Sequence, residues 1–284
     1  MKKTVFNYFA IASLALSAAL TSCNDDAVSA STITMTTAIE GDVRFYIAGS
    51  GGRLRIDWGD GTKVKTYILK PFTGPFLYDR YLYTYNYSTN SSRTITITGK
   101  GITHLNCVYN RLTSLDVSKN TALTYLSCWD NRLTSLDISK NTALKELYCF
   151  TNQLTSLDVS KNTALTNLEC GTNQLTSLDV SKNTALKELY CGNNPLTSLD
   201  LSENTALIRL YCWNNPLTSL DLSENTALIE LYCVGNQLTA PALNALFESL
   251  HSNDGTKSIA IWDNPGASTC DQSIATNKGW KFWW

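Results

Sequence analysis

Cysteines and carboxylates carry most of the reactive potential of this chain, because its 284 residues include only two histidines, His104 and His251. Nine cysteines in an exported protein would ordinarily form a disulfide framework. Here Cys107, Cys128, Cys149, Cys170, Cys191, Cys212 and Cys233 recur every 21 residues, and a fixed period of that size marks a solenoid. Equivalent strands of stacked coils lie about 4.8 Å apart with parallel side chains. A disulfide instead needs Cβ atoms about 3.8 Å apart on converging vectors. The seven therefore read as free thiols, small apolar groups packed inside a tight coil. Cys23 and Cys270 stand outside the ladder, and Cys270 is expected to be a buried thiol.

The carboxylates repeat as well. Asp116, Asp137, Asp158, Asp179, Asp200 and Asp221 form a column that stacks like charges. Lys119, Lys140, Lys161 and Lys182, or bonds to backbone, would offset the repulsion. A metal-binding ladder is the rival reading, but single outward carboxylates supply few ligands for calcium. No nucleophile–base–acid set, phosphate loop or metal cluster accompanies them, so neither an enzyme nor a cofactor is expected. The formal net charge is −1 with no basic block, which argues against nucleic acid as a partner.

The elements that would position these residues follow from the unit LTSLDVSKNTALTYLSCWDNR, which begins at Leu112 and recurs from Leu133, Leu154, Leu175, Leu196 and Leu217. Its LTSLDVSKNTAL half scarcely changes. Variation concentrates on the cysteine strand, at positions alternating away from the core. These hold Tyr125, Trp129, Glu146, Tyr148, Phe150, Glu169, Glu188, Tyr190, Arg209, Tyr211, Trp213, Glu230 and Tyr232. Aromatics and arginine on such a face suit a ligand-binding surface. The competing reading is that neighbouring rings merely stack to shield the sheet. Gly171 and Gly192 are expected to open a gap between two aromatic groups. Asn110 and its equivalents through Asn236, with Asn120 through Asn225 on the back, are expected to satisfy backbone groups where each coil turns.

From Leu123 the unit reads L-x-x-L-x-C-x-x-N-x-L, the leucine-rich-repeat signature with cysteine in one leucine slot. The 21-residue unit with its cysteine ladder resembles the cysteine-ladder internalins, surface adhesins of Gram-positive bacteria. It also resembles leucine-rich lipoproteins of Gram-negative bacteria. The resemblance covers residues 102–237 and implies an extracellular binding protein whose concave parallel sheet meets a protein ligand. A surface glycan is the alternative ligand, and a structural role in the cell envelope is a third reading.

Upstream, Lys2 and Lys3 precede an apolar run over 5–20 that is short for a membrane span and reads as a cleaved export signal. It ends in Leu20-Thr21-Ser22-Cys23, which resembles the bacterial lipobox. That resemblance implies cleavage after residue 22 and lipid on Cys23, the alternative being an ordinary secretory signal with a chance cysteine. Several acyl chains anchor a protein stably where one does not. Asn24, Asp25 and Asp26 resemble a surface-export signal, and 23–32 reads as a lipidated tether. The expected location is the outer membrane, exposed at the cell surface.

Residues 33–101 alternate as half-buried strands over 32–36, 43–47, 54–58, 63–67 and 93–98. Trp58-Gly59-Asp60-Gly61-Thr62, with Tyr83-Thr84-Tyr85 downstream, resembles the polycystic-kidney-disease repeat, an immunoglobulin-like sandwich. Asp60 reads as a turn aspartate rather than a calcium ligand. This segment is expected to be a spacer that also covers the open end of the array. Residues 238–284 read as an expanded final repeat and cap: a helix over 240–251 with Thr239 as N-cap, Ile261 in the cysteine slot, and a short helix over 271–277. The expected fold is thus a β-rich α/β solenoid of leucine-rich repeats behind a small all-β sandwich.

Overall fold

A computed structural model describes residues 31–73 and 81–283. The expected signal segment 1–22, the expected lipidation at Cys23 and the expected tether up to residue 30 lie outside the described residues. No helix among the described residues is long and apolar enough to cross a membrane.

Six strands open the described chain: β1 (Ser31–Thr37), β2 (Gly41–Gly49), β3 (Gly52–Asp57), β4 (Lys65–Leu69), β5 (Leu82–Tyr87) and β6 (Arg93–Gly99). Alternation drives them inward on one face, burying Ile33 and Met35, Val43 and Phe45, Leu54 and Ile56, and Ile95 and Ile97. Ser31 and Thr32 already pair with Gly99 and Thr98, so the strand begins inside the stretch expected to be tether. Between β3 and β4 the chain reverses at Gly59 (φ 72°) and Gly61 (φ 80°), a backbone that side-chain-bearing residues rarely adopt.

Asp60 sits in that reversal as a turn residue. Its Oδ1 accepts the backbone N–H and the hydroxyl of Thr62, and its Oδ2 accepts the Tyr85 hydroxyl. The Tyr85 bond first, then those from Thr62, hold its carboxyl at about 2. Because that value lies below the unfolded carboxylate value of about 3.9, the stabilisation is complete above that pH and is lost as pH falls toward 2. Thermal melts at pH 7 and pH 3 should therefore show a larger loss for the native chain than for Asp60→Asn. Equal losses would remove Asp60 from the acid transition.

The sandwich is not a detached spacer. β7 (Ile102–Asn106) pairs antiparallel with β2 on one side and parallel with β9 (Tyr125–Ser127) on the other. On the back, β8 (Ser114–Asp116) pairs antiparallel with β1. One sheet therefore runs β4-β3-β6-β1-β8, and the other carries β5-β2-β7 directly into the array. A single apolar core continues from Ile33 and Phe45 through Leu105 and Leu115 into the repeats. The expectation that this segment covers the array's open end holds, and it does so by extending both faces of the first coil.

The concave sheet continues through β10 (Glu146–Tyr148), β11 (Asn167–Glu169), β12 (Glu188–Tyr190), β13 (Arg209–Tyr211) and β14 (Glu230–Tyr232), all parallel and each offset from its neighbour by 21 residues. All seven ladder cysteines are buried free thiols, and burial raises each thiol above its ordinary range. They act as packing groups.

The front asparagines do what the turns require. Asn173 Nδ2 donates to the carbonyls of Cys149, Cys170 and Gly171, while its Oδ1 accepts the Leu154 N–H. On the back, Asn162 donates to Ile138 and Asn141, but its Oδ1 finds no protein partner. The aspartate column is offset by backbone bonds, as with Asp179 Oδ1 accepting the Ser181 N–H at 2.9 Å. Those bonds hold Asp137, Asp158, Asp179 and Asp200 below the usual carboxylate range.

Helix α1 (Ala240–Ser249) buries Leu243, Leu246 and Phe247. Thr239 occupies the N-cap without a side-chain bond, and the helix stops at Ser249. Its far end is closed by Lys278, whose ammonium donates to the carbonyls of Glu248 and Leu250, a favourable place for a cation. β15 (Lys257–Ala260) joins β14, placing Ile261 in the cysteine slot and Asn264 in the asparagine slot. After α2 (Ser273–Thr276), β16 (Trp280–Phe282) adds a strand that the spacing of apolar residues did not announce. Cys270, expected to be buried, is only half-buried because it lies in the turns between Gly266 and α2, at the edge of the core.

Candidate functional site

The concave strands turn two of every three residues outward, and all thirteen candidate residues from Tyr125 to Tyr232 are half-buried on that face. The structure gathers the rings into groups. Phe72, His104, Tyr125 and Tyr148 follow one another, with centroids 4.0, 5.7 and 5.4 Å apart. Trp129 stacks on Phe150 at 4.8 Å, and Tyr109 meets Trp129 edge-on. Farther along, Tyr190, Tyr211 and Tyr232 stack at 4.1 and 5.0 Å. Such distances follow from the coil spacing, which places like rings in van der Waals contact. Stacking is thus real, and it leaves ring edges and hydroxyls outermost within each group.

The polar residues form a second system. Arg209 bridges Glu188 and, at 3.3 Å, Glu230, while Asn167 Nδ2 donates to Glu188 at 2.9 Å. The Tyr148 hydroxyl donates to Glu146, and burial with that neighbouring carboxylate raises the Tyr148 phenol. Burial, then Glu230, raises Tyr211 likewise. Glu169 differs from the other three carboxylates: its side chain accepts no hydrogen bond from the described residues. Burial, then the nearby Glu188, raises its carboxyl.

Of the gap expected at Gly171 and Gly192, the Gly192 side is roofed. Both glycines are buried, and a Cβ added at Gly192 would meet three indole atoms of Trp213 at 2.7 to 2.9 Å. Near-equal distances to Cδ2, Cε2 and Nε1 place the indole face-on over the glycine. Its plane stands at 87° to the Tyr211 ring. With no side chain at 192, the ring lies down where its counterparts stand in a stack.

Tyr109 and Phe72 were not among the expected site residues. Tyr109 has a left-handed backbone (φ 58°) and is 59% exposed. The same turn position holds Asp130, Thr151, Thr172, Asn193, Asn214 and Gly235 in later coils. A large aromatic in that column is costly, and its departure from the column's small and polar residues was the available signal. Phe72 reaches the face only through the fold, so no local pattern pointed to it.

The opposite, convex side offers a shallow depression of about 400 Å³ lined by Ser177, Asp179, Ser198 and Asp200 among others. Its aspartates are engaged by their own turns, so the concave face holds the stronger site.

This geometry defines a leucine-rich-repeat solenoid with a cysteine ladder. Residues 121–162 match the family model for leucine rich repeats in two copies. Among solved structures the chain is similar to a leucine-rich-repeat protein of Leptospira interrogans, with 25% identity, a TM-score of 0.57, and coverage of 65% of this chain and 49% of that one. It is also similar to the functional domain of InlJ from Listeria monocytogenes, which includes a cysteine ladder. There the identity is 32%, the TM-score 0.38, and the coverage 67% of this chain and 50% of that one. An internalin from the same organism shows 27% identity, a TM-score of 0.43, and coverage of 51% and 42%. The chain spans about half the length of the first two structures. No curated protein matches it.

Proposed function

We infer that this protein is a bacterial surface lipoprotein that binds a protein ligand through its concave face, in the manner of an adhesin. Leucine-rich-repeat folds of this kind commonly serve as protein-binding scaffolds and are typically not enzymes. One observation carries the reading: a constant scaffold half-coil is joined to a strand whose outward residues vary and collect into aromatic groups around Arg209 and four glutamates. Rings and arginine at a desolvated centre dominate protein interfaces. The stacking favours a protein over a glycan, since sugars pack on ring faces and most faces here are covered by neighbouring rings. The lipobox at Cys23 supplies the membrane attachment in this reading. The PKD-like sandwich serves as the cap nearest the tether.

The test is a screen of the protein against host-protein and glycan panels beside a Tyr125→Ala/Trp129→Ala/Tyr190→Ala/Tyr232→Ala variant. The variant should keep its circular dichroism and weaken protein binding by about 100-fold, roughly two strong anchors' worth. Equal binding by both proteins would sink the concave-face reading. Ring-dependent binding to glycans alone would replace the ligand class.

A further inference from the structure

Trp213 and Glu169 share a distinction on the concave face. Each other carboxylate there has a partner: Glu188 and Glu230 hold Arg209, and Glu146 holds the Tyr148 hydroxyl. Glu169 alone accepts no hydrogen bond from the described residues. Trp129 and Phe150 stack on each other, as do Tyr190, Tyr211 and Tyr232, whereas Trp213, in the same row as Trp129 and Phe150, meets a ring only edge-on, at Tyr211. One indole face rests on Gly192 and the other is turned away from it. Trp213 stands two coils beyond Glu169, but its indole reaches back one coil to cover Gly192, and Glu169 lies on the next coil, two residues before Gly171. One coil spacing of about 4.8 Å and two strand residues of about 3.3 Å each then separate the covered glycine from the Glu169 backbone, a span that a guanidinium held between the two side chains can bridge.

We propose that the indole of Trp213 and the carboxylate of Glu169 together seat a planar cation, the guanidinium of an arginine side chain on the protein partner. This rests on the concave face being the binding surface and names the chemistry it selects. An arginine stacks its flat cation on an indole face while its N–H groups pair with a carboxylate in the same plane. The face already shows this preference internally, since Arg209 lies between the carboxylates of Glu188 and Glu230. Charge agrees: Glu146, Glu169, Glu188 and Glu230 outnumber Arg209 on the candidate surface. Lysine lacks the planar group, and a neutral sugar would not discriminate between a carboxylate and its amide by charge.

The experiment titrates the whole protein with N-acetylated hexa-arginine, hexa-lysine and cellohexaose, following tryptophan fluorescence, and repeats it with Glu169→Gln, Trp213→Ala and the convex-face control Glu203→Gln. Hexa-arginine should bind at least about tenfold more tightly than hexa-lysine. Glu169→Gln and Trp213→Ala should each weaken it by about tenfold, and Glu203→Gln should leave it unchanged. Glu169→Gln preserves size and shape, so its binding can be read without a change of fold. Equal binding of the two peptides, an indifferent Glu169→Gln, an equal loss in Glu203→Gln, or cellohexaose binding in place of hexa-arginine would each overturn the proposal. The failures separate cleanly. If Glu169→Gln is silent while the four-ring variant loses its protein ligand, the arginine seat falls and the concave-face reading stands. If the four-ring variant keeps its protein ligand, the concave-face reading falls, and the partner's arginine seat, which rests on it, falls too, whatever the peptides do.

Discussion

Removing residues 31–101 is expected to abolish cooperative folding of what remains. The intact chain should melt in one transition, and the fragment from residue 102 onward should show none, with increased binding of a hydrophobic dye. The cause lies in the continuous sheets. Without β2 and β1, the first coil exposes Leu105, Leu112, Leu115 and Val117, all buried in the whole protein. Each fully buried aliphatic side chain is worth about 1.5–3 kcal/mol, and a repeat array depends on its terminal caps because each coil contacts only its neighbours. Asn110 sharpens the effect. Its Oδ1 accepts the Arg44 N–H, its Nδ2 donates to the Arg44 carbonyl, and the Thr37 hydroxyl donates to its carbonyl. Calorimetry decides the matter. Two separate transitions in the intact chain, or a fragment that melts cooperatively by itself, would make the sandwich an independent domain.

Asn173→Ala should cost about 3 kcal/mol in denaturant unfolding, against about 1.5 kcal/mol for Asn183→Ala, ten residues away on the back. The two asparagines differ in what their loss orphans. Asn173 is the acceptor for the Leu154 N–H, which has no other partner among the described residues, so its removal strands a buried donor. The carbonyls of Cys149 and Cys170 fare better, since Asn152 and Asn194 also donate to them. Asn183 only donates, to Val159 and Asn162, and both carbonyls keep a backbone N–H. Its own Oδ1 is already unpartnered. Equal costs for the two variants would show that filling the coil, rather than pairing the turn, is what the asparagines contribute.

The periodic part of the molecule was legible in the residues alone. A 21-residue unit admits one coil, and the coil settles which columns face inward: the leucines, the cysteines and both asparagine ladders are buried as their spacing implies, with Asn152 half-buried. The free thiols followed from strand spacing, and the turn role of Asp60 from its glycine neighbours. The thirteen candidate residues were likewise legible, because alternation on a parallel strand determines which side chains leave the core.

Contacts without a period were decided by the tertiary structure. Pairing of β1 with β8 and β2 with β7 joins segments separated by tens of residues, and antiparallel partners at that range leave no repeat to read. Phe72 reaches His104 by the same long-range route. Trp213 illustrates the point within the array. In its column Trp129 and Phe150 stack face to face. Absence of a side chain at Gly192 lets the indole lie flat instead. A repeat dictates the backbone of every coil alike, but the rotamer of a half-exposed ring depends on its neighbours in the adjoining coils, and those neighbours are what vary.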